Sequence, residues 1–153
     1  MRYYQKEIVF QEVPGEISIC FFICGCPLRC PGCHSPFTWN ENSGNLLTTN
    51  EYVRILDQYK GSLSCVLFMG GEWHEEELAV YLKIARERGL KTCLYTGLED
   101  VSSALKKHLD YLKTGPWIAS LGGLDSERTN QKMIQIDNEE CLNQAFHKQP
   151  LAV

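Results

Sequence analysis

Apolar and polar positions change their spacing several times along the chain, and each change marks the start or end of an element. Lys6 to Glu12 and Glu16 to Cys24 read as two strands joined at Val13-Pro14-Gly15, a turn signature. From Gly25 to about Leu47, Pro27, Pro31, Gly32, Pro36 and Gly44 forbid regular helix and describe a long ordered loop. Loops of that length in compact domains tend to carry function. Thr48-Thr49-Asn50-Glu51 then reads as a capping box, and Tyr52, Ile55, Leu56 and Tyr59 recur at helical spacing before Gly61. Leu63 to Met69 is an apolar run suited to a buried strand, and it stops at Gly70-Gly71.

The remainder repeats that alternation. Glu75 to Arg88 predicts a second amphipathic helix, acidic at its start and basic near its end as the helix dipole prefers, with Gly89 as its cap. Leu90 to Tyr95 predicts a strand ending at Thr96-Gly97. Glu99 to Leu109 reads as helix, Tyr111-Leu112 opens a fourth core strand, and Lys132 to Ile136 is a candidate fifth. Strand, loop and helix at this interval predict an α/β fold of parallel βαβ units with right-handed crossovers. Such sheets bind ligands at the carboxyl ends of their strands. The Cys26 loop, Gly70-Gly71-Glu72 and Thr96-Gly97 therefore converge on one expected site.

Composition narrows the function. With 44% hydrophobic and 22% charged residues over 153 positions the chain has enough apolar material for a packed domain. A formal net charge of −4 argues against an electrostatic grip on nucleic acid or anionic lipid. The longest apolar run, Ile17 to Cys24, is far shorter than the roughly 18 residues of a membrane helix, and Met1-Arg2 to Lys6-Glu7 leads into no signal-like apolar core. These features predict a cytoplasmic protein with no nucleic-acid or membrane partner. Eight cysteines in a reducing compartment point to metal or redox chemistry more than to disulfides.

Cys26-Pro27-Leu28-Arg29-Cys30-Pro31-Gly32-Cys33 has the spacing C-x3-C-x2-C. Pro31 and Gly32 break any continuous helix, so the thiols must converge from a wrapped loop, an arrangement suited to bridged irons. A four-iron, four-sulfur cluster ordinarily takes four cysteines. Three in one loop leave an iron open, which marks a reactive site more than a structural one. The alternative is zinc held by Cys26, Cys30, Cys33 and His34, although adjacent Cys33 and His34 have difficulty pointing at one small ion. Cys20, Cys24, Cys65 and Cys93 fall in strand-like runs and read as buried small hydrophobes.

This loop resembles the signature of the radical S-adenosylmethionine enzymes. Within them, Thr38-Trp39 with Ser43-Gly44, Gly70-Gly71-Glu72, Tyr95-Thr96-Gly97 and Thr129-Asn130-Gln131 are similar to elements of the anaerobic ribonucleoside-triphosphate reductase activating proteins. The chain differs from them at His34-Ser35, where Tyr-Asn is usual, at Trp73 where Pro often stands, and at Lys132 in place of Arg. The resemblance implies one radical S-adenosylmethionine domain over residues 1–153, folded as a small partial (β/α) barrel with a mostly parallel sheet. Cys26, Cys30 and Cys33 would hold a [4Fe-4S] cluster and act catalytically through it. The amine and carboxylate of S-adenosylmethionine would complete the fourth iron, with Gly32, Cys33 and His34 along the adenosyl part. The implied activity is generation of a glycyl radical on the large subunit of the anaerobic reductase, fed by a one-electron donor such as flavodoxin or ferredoxin.

The supporting motifs acquire roles beside that loop. Gly70 and Gly71 would let backbone approach the cofactor, and Glu72 would accept a charge-assisted hydrogen bond from its ammonium. Thr96 reads either as a helix cap or as a contact to the cofactor's carboxylate or ribose. His74 with Glu75 to Glu77 is an ordinary acidic helix start, and Trp39, Trp73 and Trp117 read as packing residues.

Overall fold

The computed structural model describes residues 1–147. The last six positions of the expected 1–153 domain lie outside the described residues. The fold is mixed α/β, with one sheet whose central strands are β2 (Ser18–Ile23), β4 (Cys65–Met69), β5 (Lys91–Tyr95) and β6 (Tyr111–Thr114), each parallel to the next. Antiparallel strands close both sides. β1 (Arg2–Val9) and the short β3 (Asn45–Leu46) flank β2, and β7 (Lys132–Gln135) and β8 (Glu140–Cys141) flank β6. The order is β3-β1-β2-β4-β5-β6-β7-β8.

The parallel character expected from the sequence thus belongs to the central strands. β7 turns back because Gly115 to Gln131 holds no helix to carry the chain across the sheet, so a direct antiparallel return remains. The first strand also lies earlier than its pattern suggested. It starts at Arg2 and ends at Val9, after which Phe10 is 66% exposed while Val13 is fully buried. Residues 10–16 therefore leave the ladder and fold over the sheet. The Tyr95 hydroxyl donates to the Glu12 carbonyl, and the Tyr111 hydroxyl donates to Glu16 at 3.2 Å.

Three helices cover one face. Thr48 caps α1 (Thr49–Gln58) by accepting the Glu51 amide at 3.1 Å, while the Glu51 carboxylate turns to Arg54 instead of completing the capping box. α2 (Glu75–Glu87) buries Leu78, Tyr81, Leu82 and Ala85. α3 spans Ser103–Lys106, shorter than the expected Glu99 to Leu109. Asp100 binds the Val101 amide at 2.8 Å and Ser102 supplies the cap, which delays the helix, and Lys107 to Leu109 then tighten into a turn.

Strand alternation sorts two cores. Ile19, Phe21, Ile23, Val66, Phe68, Leu94 and Leu112 meet the helices, with Phe21 stacked on Phe68 at 5.5 Å. Cys20, Cys65, Leu67 and Cys93 face the other way, under Val13, Leu124 and Met133. Those three cysteines are fully buried, and burial pushes their thiols up, Cys65 to about 12. They serve as small hydrophobes, as does buried Cys24, whereas Cys141 is exposed on β8.

Candidate functional site

The parallel register brings Phe22, Met69, Tyr95 and Lys113 into one row across β2, β4, β5 and β6. All four lie on the face away from the helices, at the carboxyl ends of their strands. Just beyond this row the chain leaves the sheet at Cys24-Gly25, Gly70-Gly71, Thr96-Gly97 and Thr114-Gly115. Cys26, Cys30, Cys33, Glu72, Thr96 and Lys113 line one cavity of about 180 Å3 there. The predicted convergence of three distant stretches is therefore present in the geometry.

The cysteine loop is built on Thr38. Its carbonyl accepts the Gly25 amide at 2.7 Å and the Cys26 amide at 3.3 Å, tying the loop's start to the 3-10 turn Pro36–Thr38. The Cys33 amide donates to the Cys30 carbonyl at 3.1 Å, and Arg29 and Gly32 take left-handed φ of 45° and 70° to wrap the chain between the thiols. All three thiols are half-buried and free of disulfides. Burial pushes the Cys26 thiol up, while the Leu28 and Arg29 amides pull in the other direction. The Ser35 amide points at the Cys33 sulfur at 3.3 Å. Among the described residues no three His, Cys, Asp or Glu side chains gather closely enough for a single metal ion. The thiols instead surround a space.

Gly70 and Gly71 are both left-handed, with φ of 80° and 113°. The room left by the missing β-carbons is taken by protein. A Cβ on Gly70 would lie 2.4 Å from the Trp73 ring, and one on Gly71 3.3 Å from Ile23. Trp73 also donates its indole N–H to the Cys24 carbonyl at 3.1 Å, so it joins the end of β2 to the end of β4. Trp73→Phe should therefore lose about 1 kcal/mol of stability by leaving that carbonyl unpaired, measurable by denaturant unfolding.

Glu72 is the central acid of the site. Thr96 donates its hydroxyl to Glu72 Oε1 at 2.6 Å, whereas Oε2 is buried with no partner. Burial raises the carboxyl's pKa, against the pull of Thr96 and of the Lys113 cation. An orphaned, desolvated carboxylate oxygen fits an ammonium donor. The Thr96 hydroxyl also accepts the Leu98 amide at 3.0 Å, closing a turn, and no helix starts there for it to cap.

His34 sits at the exposed rim with its ring 4.1 Å from that of Trp117. Gly32 lies below the same tryptophan, an added Cβ coming 3.5 Å from its indole nitrogen. Sequence reasoning gave Lys113 no role. Its ammonium is buried, donates to the Gly115 carbonyl at 2.9 Å, and is pulled down to about 8 by burial against the opposing pull of Cys30 and Glu72. A buried cation beside a buried acid can receive a ligand carboxylate while the acid receives the ligand's amine. The available signal was a lysine within the otherwise core-forming strand Tyr111–Thr114.

A family model described as a 4Fe-4S single cluster domain matches residues 13–135. The chain belongs to that family. Its cofactors are a [4Fe-4S] cluster and S-adenosylmethionine. The donor set fits them, with three thiols around a cavity and an unpaired acid and a buried cation beside it. The chain is also similar to a pyruvate formate-lyase-activating enzyme of Clostridium pasteurianum, 39% identical over 89 residues that cover 54% of this chain and 37% of the relative. A 7-carboxy-7-deazaguanine synthase of Hyperthermus butylicus is 34% identical over 70 residues, covering 42% of this chain and 29% of that protein. The matches thus span about a third of the length of these curated relatives. Among the described residues no helix is long and apolar enough to cross a membrane.

Proposed function

We propose that the protein is a radical S-adenosylmethionine activating enzyme that generates a glycyl radical on anaerobic ribonucleotide reductase. The observation that carries this reading is the cavity itself, where Cys26, Cys30 and Cys33 stand beside Glu72, Thr96 and Lys113 at the ends of four parallel strands. In this reading the protein is one radical S-adenosylmethionine domain, a partial (β/α) barrel, and it works in the cytoplasm.

Cys26, Cys30 and Cys33 would hold the cluster, and S-adenosylmethionine would bind beside it with its amine towards Glu72 and its carboxylate towards Lys113. Glu72 Oε2 accepts from that amine, and Thr96 fixes the rotamer of the acid. Lys113 balances the substrate carboxylate. Gly32, Cys33 and His34 follow the adenosyl part, with Trp117 behind them limiting water. Gly70 lets Trp73 pack closely and Gly71 lies against Ile23, and together they hold the backbone that carries Glu72. When bound, the cofactors supply one-electron reduction of the sulfonium to methionine and a 5′-deoxyadenosyl radical, able to take hydrogen from a glycine α-carbon.

Thr129-Asn130-Gln131 supports the reductase as the target, with Asn130 and Gln131 both donating to the Pro116 carbonyl at the site's edge, at 3.0 and 3.4 Å. The similarity to a pyruvate formate-lyase-activating enzyme favours, as a second reading, an activase of another glycyl radical enzyme. One experiment separates them. The reconstituted protein, S-adenosylmethionine and a one-electron reductant such as reduced flavodoxin are mixed anaerobically with the anaerobic reductase or with pyruvate formate-lyase. A doublet in the electron paramagnetic resonance spectrum is expected on the reductase and lost in its glycine-to-alanine variant. A doublet on the lyase alone selects the second reading, and cofactor cleavage with neither doublet overturns both.

A further inference from the structure

Four aromatic side chains line the thiol cavity, Phe22, Trp73, Tyr95 and Trp117. Three of them are engaged elsewhere. Phe22 packs on Phe37 with ring centres 5.9 Å apart, the Tyr95 hydroxyl donates to the Glu12 carbonyl, and the Trp117 ring lies 4.1 Å from that of His34. Trp73 belongs to the 3-10 turn Glu72–His74, directly after the acid of the site. Its one aromatic neighbour among the described residues is adjacent His74, at 6.2 Å. It also stands where the resembling activating proteins often carry Pro, so its ring is an addition to the shared motif.

Backbone contacts fix how this ring meets the cavity. Its indole N–H is taken by the Cys24 carbonyl at 3.1 Å, and the same nitrogen lies 3.2 Å from where a Cβ on Gly25 would stand. At the benzo end, a Cβ on Gly70 would come 2.4 Å from Cη2 but 3.0 and 3.5 Å from Cζ3 and Cζ2, which describes an approach to the ring's edge. With the N–H side and the benzo end both against backbone, the part of Trp73 left to line the cavity is its π face.

That face is the electron-rich part of an indole and attracts a cation. The charges of the cavity agree with such an occupant. Lys113, a buried cation of the same cavity, lies on β6, two strands from β4, and is bonded to the Gly115 carbonyl at 2.9 Å. Glu72, beside Trp73, keeps Oε2 buried and unpartnered. A positive centre in the ligand is therefore drawn towards the acid and the indole and away from the lysine. The sulfonium of S-adenosylmethionine is such a centre, and it has no N–H through which a hydrogen-bond acceptor could hold it.

We propose that Trp73 is a specificity-determining residue of the cofactor site, its ring face holding the sulfonium and so selecting S-adenosylmethionine over its neutral thioether counterpart, S-adenosylhomocysteine. The inference rests on the cofactor assignment and is independent of which protein is activated.

The test is anaerobic equilibrium dialysis of both ligands against the reconstituted protein with its cluster oxidised, so that binding is read without turnover. The readout is selectivity, the dissociation constant of S-adenosylhomocysteine divided by that of S-adenosylmethionine. Trp73→Phe and Trp73→Leu both lose the bond to Cys24, so the difference between them isolates the aromatic face. Selectivity is expected to fall at least about threefold in Trp73→Leu and to be largely kept in Trp73→Phe. A purely structural role would weaken both ligands alike. Should Trp73→Leu lose iron, a second measurement preserves the shape of the site. Difluorotryptophan, incorporated biosynthetically, withdraws electron density from the ring face and should lower selectivity in the wild-type sequence but not in Trp73→Phe, where Trp39 and Trp117 still carry the label. Unchanged selectivity in Trp73→Leu or on fluorination of the wild type overturns the proposal. So does an equal fall in the leucine and phenylalanine variants, which would assign the loss to the missing hydrogen bond. Failure of both ligands to bind the wild-type protein overturns the cofactor assignment, and this inference with it.

Discussion

Cys26→Ala, Cys30→Ala and Cys33→Ala are each expected to abolish assembly of the cluster, whereas Cys65→Ala should retain it. The first three thiols line one cavity and have free sulfurs, so in the proposed reading each substitution would remove one of the protein's three ligands to the cluster. Two open irons would expose the cluster to solvent and loss. Cys65 is fully buried at the start of β4, on the sheet face beneath Val13 and Leu124 and at the strand end away from the cavity, and its replacement removes packing alone. Iron and acid-labile sulfide per chain, measured after anaerobic reconstitution, decide the matter. Full iron retention in any of the three loop variants would overturn the ligand assignment, and iron loss in Cys65→Ala would place a ligand where the structure shows core.

The contrast between those cysteines explains what was legible in the sequence. Cys20, Cys65 and Cys93 alternate with Ile19, Val66 and Leu94 across the sheet, and that alternation alone sends them into an apolar layer. The cysteine loop was legible because proline and glycine exclude the regular structures that would separate its thiols. Helices α1 and α2 followed their apolar spacing and caps closely. The misplaced elements were those decided by long-range contacts. β1 ends at Val9 because Val13 is drawn over the sheet, with the next carbonyl back, Glu12, held by Tyr95, a residue 83 positions away. The antiparallel turn of β7 depends on Gly115 to Gln131 forming a loop, which local spacing does not reveal.

The same limit applies within the site. Glu72 was legible as a polar residue after a glycine pair, yet its orphaned oxygen depends on Thr96, 24 residues on, occupying the other. Lys113 carried no motif that singled it out within its strand. The register with Tyr95 and Met69 places it under the cavity, and the ammonium is thereby desolvated. Trp73 read as packing, and it packs, but against Gly70, which assigns that glycine a second reason to lack a β-carbon. Acid, cation and thiols each come from a different strand end, so none of their pairings appears as a sequence spacing.

Glu72→Ala is expected to weaken S-adenosylmethionine binding by about 1.5–3 kcal/mol, on the order of tenfold to 150-fold, with iron content unchanged. The large effect follows from desolvation already suffered by Oε2, which makes the bond from the cofactor's amine N–H to the carboxylate charge-assisted and shielded from water. Glu72→Gln should keep an acceptor for Thr96 and lose most of the same affinity, separating the acid's charge from its role as a scaffold. The pH dependence carries a definite sign. Burial raises the Glu72 pKa in the free protein, and the amine N–H that it accepts favours the carboxylate, so binding must expel a proton wherever the acid is protonated. Affinity should therefore fall as pH drops through the raised Glu72 value, a dependence absent from Glu72→Gln, and fall again above about pH 8 in both proteins as Lys113 loses its charge. Anaerobic equilibrium titration of the reconstituted protein measures all of these. Wild-type affinity in the alanine variant would reduce Glu72 to a partner of Thr96, and loss of affinity in alanine but not glutamine would show that hydrogen bonding, without charge, is what the ligand requires.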